Sequence, residues 1–326
     1  MSHIFRLACV IAAIPFATSL ALASPTASQD WPNKPVTIIV PFPPGGGTDL
    51  VVRSIQPALS KALGQAVVID NRSGAGGTVG SALVAQARPD GYTAGVVTTS
   101  THAVSPSIYP DLRYDPVQDF AYAGFIGTTP YVLVANLSLS VDNAADLIKA
   151  LKAHPSDQSF ASVGVGTVSH LMGEQFKKLL GIPIVHVPYR GAAPAYTDLI
   201  GGQVQIMFDN PVGLKPLIDS RKLTALATTE PTPLLPDVPT FAQQGIGGFD
   251  QSLWYGIAFP KGTPDEIVER FNDVINNALR DPALAADLAG KGVSARAGTP
   301  LEMQEAVARD VSYWSRIVKS VGATNE

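Results

Sequence analysis

Val36-Thr-Ile-Ile-Val40-Pro-Phe-Pro-Pro-Gly-Gly-Gly-Thr-Asp49 is the stretch on which the fold turns. Its first five residues are an apolar, mostly β-branched run of the length of a buried strand, and the prolines and glycines that follow break that strand at once. Beyond Asp49 the apolar period changes. Val51, Ile55, Leu59 and Leu63 recur every four residues, one face of a helix, with Gly64 placed to cap its C-terminus and Pro57 placed to kink or break it. A strand, a glycine-rich turn and a helix make half of a parallel α/β unit.

The unit recurs on both sides of residue 128. Val67–Ile69 runs into Asn71-Arg-Ser-Gly-Ala-Gly-Gly77 and a helix to about Ala87, and Ala94–Thr98 runs into Thr99-Ser-Thr-His102. Further on, strands are expected at Tyr131–Ala135, Phe160–Val163, Ile184–Val187, Val204–Phe208, Leu223–Ala227 and Gly256–Phe259, with helices over Val141–Ala153, through Leu180 and after Pro194. Thr263-Pro-Asp-Glu266 and Thr299-Pro-Leu-Glu302 read as capping boxes opening two closing helices. Ile267, Phe271, Val274 and Leu279 form one apolar face; Met303, Val307, Val311, Trp314 and Val318 form the other. Such faces need a sheet to cover, and the first lobe supplies one. The expected organisation is two α/β lobes: a discontinuous lobe 1 over 31–128 plus 262–326, and lobe 2 over 129–261.

Leu7 to Leu22 is apolar behind Arg6, and Ala21-Leu22-Ala23 has the small-x-small form of a cleavage site, so residues 1–23 are expected to be an export signal peptide and the mature protein periplasmic. Cys9 is the only cysteine. The mature chain therefore has no disulfide, no thiolate nucleophile and no zinc site using sulfur. The chain carries 23 basic and 27 acidic residues; without Arg6 the balance is 22 to 27, a net charge near −5. With no basic cluster along the chain, nucleic acid and anionic membrane surfaces are excluded as partners.

Four segments put small residues between a strand's end and a helix's start: 43–49, 71–78, 163–170 and 188–194. In open α/β sheets ligands bind there. A helix N-terminus offers unpaired N–H groups and about half a positive charge, so these loops suit an anion without needing an arginine. Nucleotide motifs fail: Gly74-Ala-Gly-Gly-Thr-Val79 and Gly164-Val-Gly-Thr-Val-Ser169 both miss the last glycine of GxGxxG, and no P-loop lysine follows. His170 and Glu174 share a helix face, but no second histidine is near in sequence, so neither a metal nor a cofactor is expected. Ser169 beside His170 is no triad. His186 reads as a core or lobe-interface residue and His154 as a surface residue at a helix C-terminus. Asp49 reads equally as a helix cap or a ligand contact, and Asp209, ending an apolar strand, caps a helix or faces the cleft. Phe42, Tyr189 and Trp254 suit either cleft lining or core.

Together with Trp31-Pro-Asn-Lys-Pro-Val36, His186-Val-Pro-Tyr-Arg-Gly191, Asp198-Leu-Ile-Gly-Gly202, Phe208-Asp209, Leu235-Pro-Asp-Val-Pro-Thr240 and Trp254-Tyr-Gly256, these loops occur in an order that resembles the substrate-binding receptors of tripartite tricarboxylate transporters, the Bug-type proteins. The resemblance covers essentially all of 31–326. It implies a type II periplasmic-binding-protein fold, a small organic carboxylate as ligand (a di- or tricarboxylate, acidic amino acid or aromatic acid), an integral-membrane permease as partner, a monomer, and no catalysis. It also implies that Phe42, Gly45, Gly46, Gly47, Thr48 and Asp49 pin a carboxylate through backbone amides. Ser162, Gly164, Thr167 and His170, then Tyr189, Gly191 and Ala192, with Ser100 and Asp209, would enclose the rest. Pro43-Pro44 departs from the small alanines common in that loop, and Asp209-Asn210-Pro211 leaves specificity open. The competing expectations are a sensory receptor for a signalling partner and a hydrolase or lyase using His170 and Asp209.

Overall fold

The computed structural model describes residues 31–153, 158–181 and 183–324; the expected signal peptide, Cys9 and His154 lie outside them. The strands are β1 (Val36–Val40), β2 (Val67–Asn71), β3 (Thr93–Thr98), β4 (Phe120–Thr129), β5 (Val132–Asn136), β6 (Ser159–Ser162), β7 (Val185–Pro188), β8 (Ile206–Asp209), β9 (Leu223–Thr228), β10 (Leu253–Pro260) and β11 (Ser294–Ala295). The helices are α1 (Gly47–Leu63), α2 (Thr78–Ala85), α3 (Ser105–Ile108), α4 (Ala144–Ala153), α5 (Val168–Leu180), α6 (Ala192–Ile200), α7 (Pro211–Asp219), α8 (Asp265–Leu279), α9 (Pro282–Ala289) and α10 (Pro300–Val321).

Two sheets form, ordered β11-β4-β10-β3-β1-β2 and β7-β6-β8-β5-β9. In the first, β1 pairs parallel with β2 and β3, while β10 runs antiparallel to both neighbours. In the second, β6 pairs parallel with β7 and β8, while β5 runs antiparallel to β8 and β9. Of the reversed strands, β5 and β10 are the ones by which the chain enters each sheet from the other. The parallel strands end at the inter-sheet gap, so a strand that arrives across that gap must start there and run the opposite way. The return crossing falls before Leu253. This places β10 in the first sheet, whereas the sequence reading carried the second lobe to residue 261.

α1 is continuous through Pro57, contrary to the expected kink. Pro57 and Arg53 are both exposed, so the Arg53 carbonyl left without its helical donor faces water. On the opposite face Val51, Val52, Ile55 and Leu59 are at most 1 % exposed, each contributing about 1.5–3 kcal/mol by burial. Gly64 ends the helix in the left-handed region, φ 66°. The Thr299–Glu302 capping box forms. The Thr263 box does not: its hydroxyl donates to the Pro260 carbonyl at 2.8 Å, and the helix begins after Pro264. α8 and α10 both pack on β4 in the first sheet, and the second lobe is centred on Phe176, Phe208, Phe241 and Phe249, with ring centroids 4.6–6.1 Å apart.

Candidate functional site

A small cavity of about 50 Å3 lies between the two sheets, room for about four waters on the measure in which one water takes 10–15 Å3. The first lobe lines it with the β1–α1 loop (Phe42, Pro43, Gly46, Gly47, Thr48), the end of β3 (Thr98, Thr99, Ser100) and the start of β10 (Leu253, Trp254, Tyr255). The second lobe adds Tyr131 ahead of β5, Val163 after β6, Gly191–Ala192 at the start of α6, and Asp209–Asn210 at the end of β8. No lysine, arginine or histidine is among the lining residues.

The first turn of α1 supplies the donors. Gly46 is its N-cap in extended conformation, with no side chain capping the helix, so the amides of Gly47, Thr48 and Asp49 have no acceptor within the helix. The Gly45 amide is not among the free donors, because it donates to Asp49 Oδ2 at 2.9 Å. Asp49 braces the loop from behind: it also accepts from Arg53 Nε at 2.8 Å and from Asn71 Nδ2 at 2.9 Å, and Asn71 donates as well to the Phe42 carbonyl at 3.0 Å. Burial alone would raise its carboxyl, but the hydrogen bonds from Arg53, the Gly45 amide and Asn71 hold it below the usual carboxylate range. The glycine-rich loop is thus tied to α1 and β2 before any ligand arrives. α6 and α7 offer fewer donors, since Pro194 and Pro211 take positions in their first turns.

Asp209 is the one carboxylate on the cavity wall. It is 3 % exposed, and accepts from Tyr196 Oη at 2.7 Å and from the Asn210 amide and Nδ2 at 2.8 and 3.0 Å. Burial pushes its carboxyl up to about 6 despite those donors. Tyr131, Tyr196 and Tyr255 are all near enough to feel its charge, and burial raises all three phenols.

The lobes touch around this cavity. Tyr109 Oη donates to the Val165 carbonyl at 2.8 Å, and the Val168 amide at the start of α5 donates to Ser100 Oγ at 3.1 Å. A methyl group on Gly76 would stand 2.4 Å from the Val165 carbonyl oxygen, and one on Gly47 would stand 2.4 Å from Asn210 Oδ1. Glycine permits the close approach at both places. Beside the cavity a wider vestibule opens, walled by the 73–77 and 188–190 segments.

Of the residues expected at the site, Phe42, Gly46, Gly47, Thr48, Ser100, Gly191, Ala192 and Asp209 line the cavity, and Gly164 and Tyr189 line the vestibule. Gly45 and Asp49 stand behind the loop. Ser162, Thr167 and His170 line neither space. Ser162 Oγ is 2.7 Å from His186 Nε2, Thr167 caps α5, and His170 Nδ1 accepts from the Gly166 amide at 3.3 Å while its ring stacks on His186 at 4.1 Å. Each has its partner within its own lobe. The sequence reading did not single out Thr98, Thr99, Tyr131, Leu253 or Tyr255; three of them begin or precede the crossing strands.

His186 brings a third ligand-type atom to within 4.8 Å of those of His170 and Glu174. Glu174 is held by Lys177 at 2.6 Å, and the Gly166 amide on His170 Nδ1 puts that ring's proton on Nε2. Burial lowers both histidines, His186 to about 3, so the stack is neutral. His170 and Asp209 have separate partners and form no catalytic pair.

The sequence profile described as the tripartite tricarboxylate transporter family receptor matches residues 51–323. The chain is 35 % identical to protein BugT of Bordetella pertussis over 311 residues, covering 94 % of this chain and 95 % of that one. Two solved structures from Rhodopseudomonas palustris are similar throughout. One, Rpa4515 with adipate, has a TM-score of 0.87 at 36 % identity, covering 90 % of this chain and all of that one. The other, MatC with bound malate, has a TM-score of 0.84 at 32 % identity, covering 88 % of this chain and all of that one.

Proposed function

The chain belongs to the tripartite tricarboxylate transporter receptor family, and from that premise we propose that it is a periplasmic receptor that captures a small organic carboxylate by lobe closure and delivers it to an integral-membrane permease. The observation that carries this reading is the cavity, where the free amides of the α1 N-terminus meet a lining without any cationic side chain. Those amides can replace the water around a carboxylate, and the two lobes supply opposite walls. Similarity to Rpa4515 with adipate and to MatC with bound malate points to di-acids as the first ligands to try. The export address at residues 1–23 supports the compartment, and a cavity completed within one chain supports action as a monomer.

The test is to titrate the purified protein with a panel of carboxylates and follow its melting temperature. A true ligand at 100 times its dissociation constant should stabilise the protein by about 2.7 kcal/mol. No shift with any member of a panel spanning di- and tricarboxylates, acidic amino acids and aromatic acids would reject the reading.

A further inference from the structure

The cavity holds a contradiction for an anion receptor: its one ionisable side chain apart from tyrosines is an acid. Asp209 is nearly fully buried, and no cation faces it among the described residues. From α6 it meets Tyr196, from the segment ahead of β5 Tyr131, from β10 Tyr255, and from the start of α7 Asn210. Asp49 on α1 is turned away into its pair with Arg53. A second negative charge enclosed beside Asp209 would meet repulsion with little water to screen it.

Resting on the function proposed above, we infer that capture is proton-linked: the receptor takes up one proton from solvent with its anion, the proton bonding to an Asp209 oxygen so that the neutral carboxyl stands beside the ligand as a hydrogen-bond donor. The ligand class this selects is a di-acid, one carboxylate at the α1 N-terminus and its second polar end against Asp209. Tyr196 and Asn210 occupy three of the acceptor positions on the Asp209 carboxylate; at least one position remains where the proton can sit and be shared with a ligand oxygen. With the lobes in contact and the site empty the carboxyl lies at about 6, which makes the linkage visible near neutrality. Above that value Asp209 is mostly ionised in the empty site and must gain a proton when the anion enters. Below it the proton is already present and the dependence flattens. The three phenols are raised by burial and stay protonated throughout.

The experiment is calorimetric titration of the protein with malate and with adipate at pH 6, 7 and 8, in phosphate and in Tris, whose ionisation heats differ. Uptake of about half to one proton at pH 7 is expected, with the dissociation constant tightening by up to about tenfold per unit as pH falls from 8. Asp209→Asn should abolish the uptake and leave whatever malate or adipate binding remains independent of pH. Tyr196→Phe removes a donor that favours the ionised form, so the pH window should move upward; this second variant keeps the test alive if the first fails to fold. Zero uptake with a pH-independent constant, for a carboxylate that does bind, overturns the inference. So does tight binding confined to malate without uptake, because the ligand's own hydroxyl would then be donating to an ionised Asp209. Absence of binding by any carboxylate is a different result, which overturns the receptor reading itself.

Discussion

Gly76→Ala should uncouple ligand affinity from stability. Gly76 has φ 63°, and a Cβ there would lie 2.4 Å from the Val165 carbonyl oxygen, a backbone atom of the opposite lobe. An ordinary contact needs about a further 1 Å. Opening the seam by that much lengthens the 2.8 Å Tyr109–Val165 hydrogen bond beyond hydrogen-bonding distance, and it strains the 3.1 Å Val168–Ser100 bond alongside it. Each is worth about 1 kcal/mol, so the closed state loses about 2 kcal/mol relative to the open one. That is roughly a thirtyfold weaker apparent affinity. The strain of alanine at positive φ, about 1–2 kcal/mol, is present open or closed. It should lower the melting temperature by a few degrees and cancel from binding.

Gly64→Ala is the matched control. Gly64 has φ 66° with nothing within 4 Å of its would-be Cβ, so it shares the strain without the collision. Calorimetric titration of both variants with whichever carboxylate stabilises the wild type separates the two effects. If Gly76→Ala binds as tightly as Gly64→Ala, the contact across the seam is not part of the ligand-bound state and the reasoning fails.

Asp49→Asn should cost about 1 kcal/mol of stability, as the charge-assisted bond from the half-exposed Arg53 is weakened, and should loosen the Gly45 end of the loop enough to raise the dissociation constant severalfold. Because the folded carboxyl lies below its ordinary value, its contribution is complete above the usual carboxylate range and is lost as pH falls through the folded value. Wild type and variant should therefore converge in acid melts, and a constant gap down to pH 2 would contradict this. Phe208→Ala removes a fully buried ring that stacks on Phe241 and Phe249. It should cost about 3–5 kcal/mol in a denaturant melt; a loss under 1 kcal/mol would mean the second lobe's aromatic cluster does not carry its core.

What the sequence made legible follows from where side-chain chemistry and backbone geometry coincide. The β1–α1 loop could be read because consecutive glycines before a helix have few other uses. β4 could not be read: Phe120-Ala-Tyr-Ala-Gly-Phe-Ile-Gly-Thr-Thr129 has few β-branched residues and two interior glycines, and it is a strand because β10 and β11 pair with it on both sides. The return point near Leu253 is illegible for the same reason, since only the ladders with β3 and β4 assign β10 to the first sheet. Site residues divide along a similar line. Loops after parallel strands are found by rule, but Tyr131, Leu253 and Tyr255 reach the cavity because reversed strands begin there, which requires the topology. Ser162, Thr167 and His170 fail in the other direction. A hydroxyl or imidazole near a glycine turn can serve the ligand or the turn itself, and here the turn takes all three.

The cavity's lack of a cation is consistent with a protein that must release what it holds. An arginine fork would fix a carboxylate by paired charge in a dry site, and breaking such a pair leaves a buried charge uncompensated. Peptide dipoles at a helix start attract the same anion with no net charge of their own to strand when it leaves. The rest of the holding energy then falls to the seam, through the Tyr109 and Ser100 hydrogen bonds and the close passage of Gly76, and all of these are undone by moving one lobe away from the other. If the chain acts as proposed, a permease that pulled the lobes apart would break the seam in the same motion that opens a wall of the site, leaving the ligand beside amides that water can solvate.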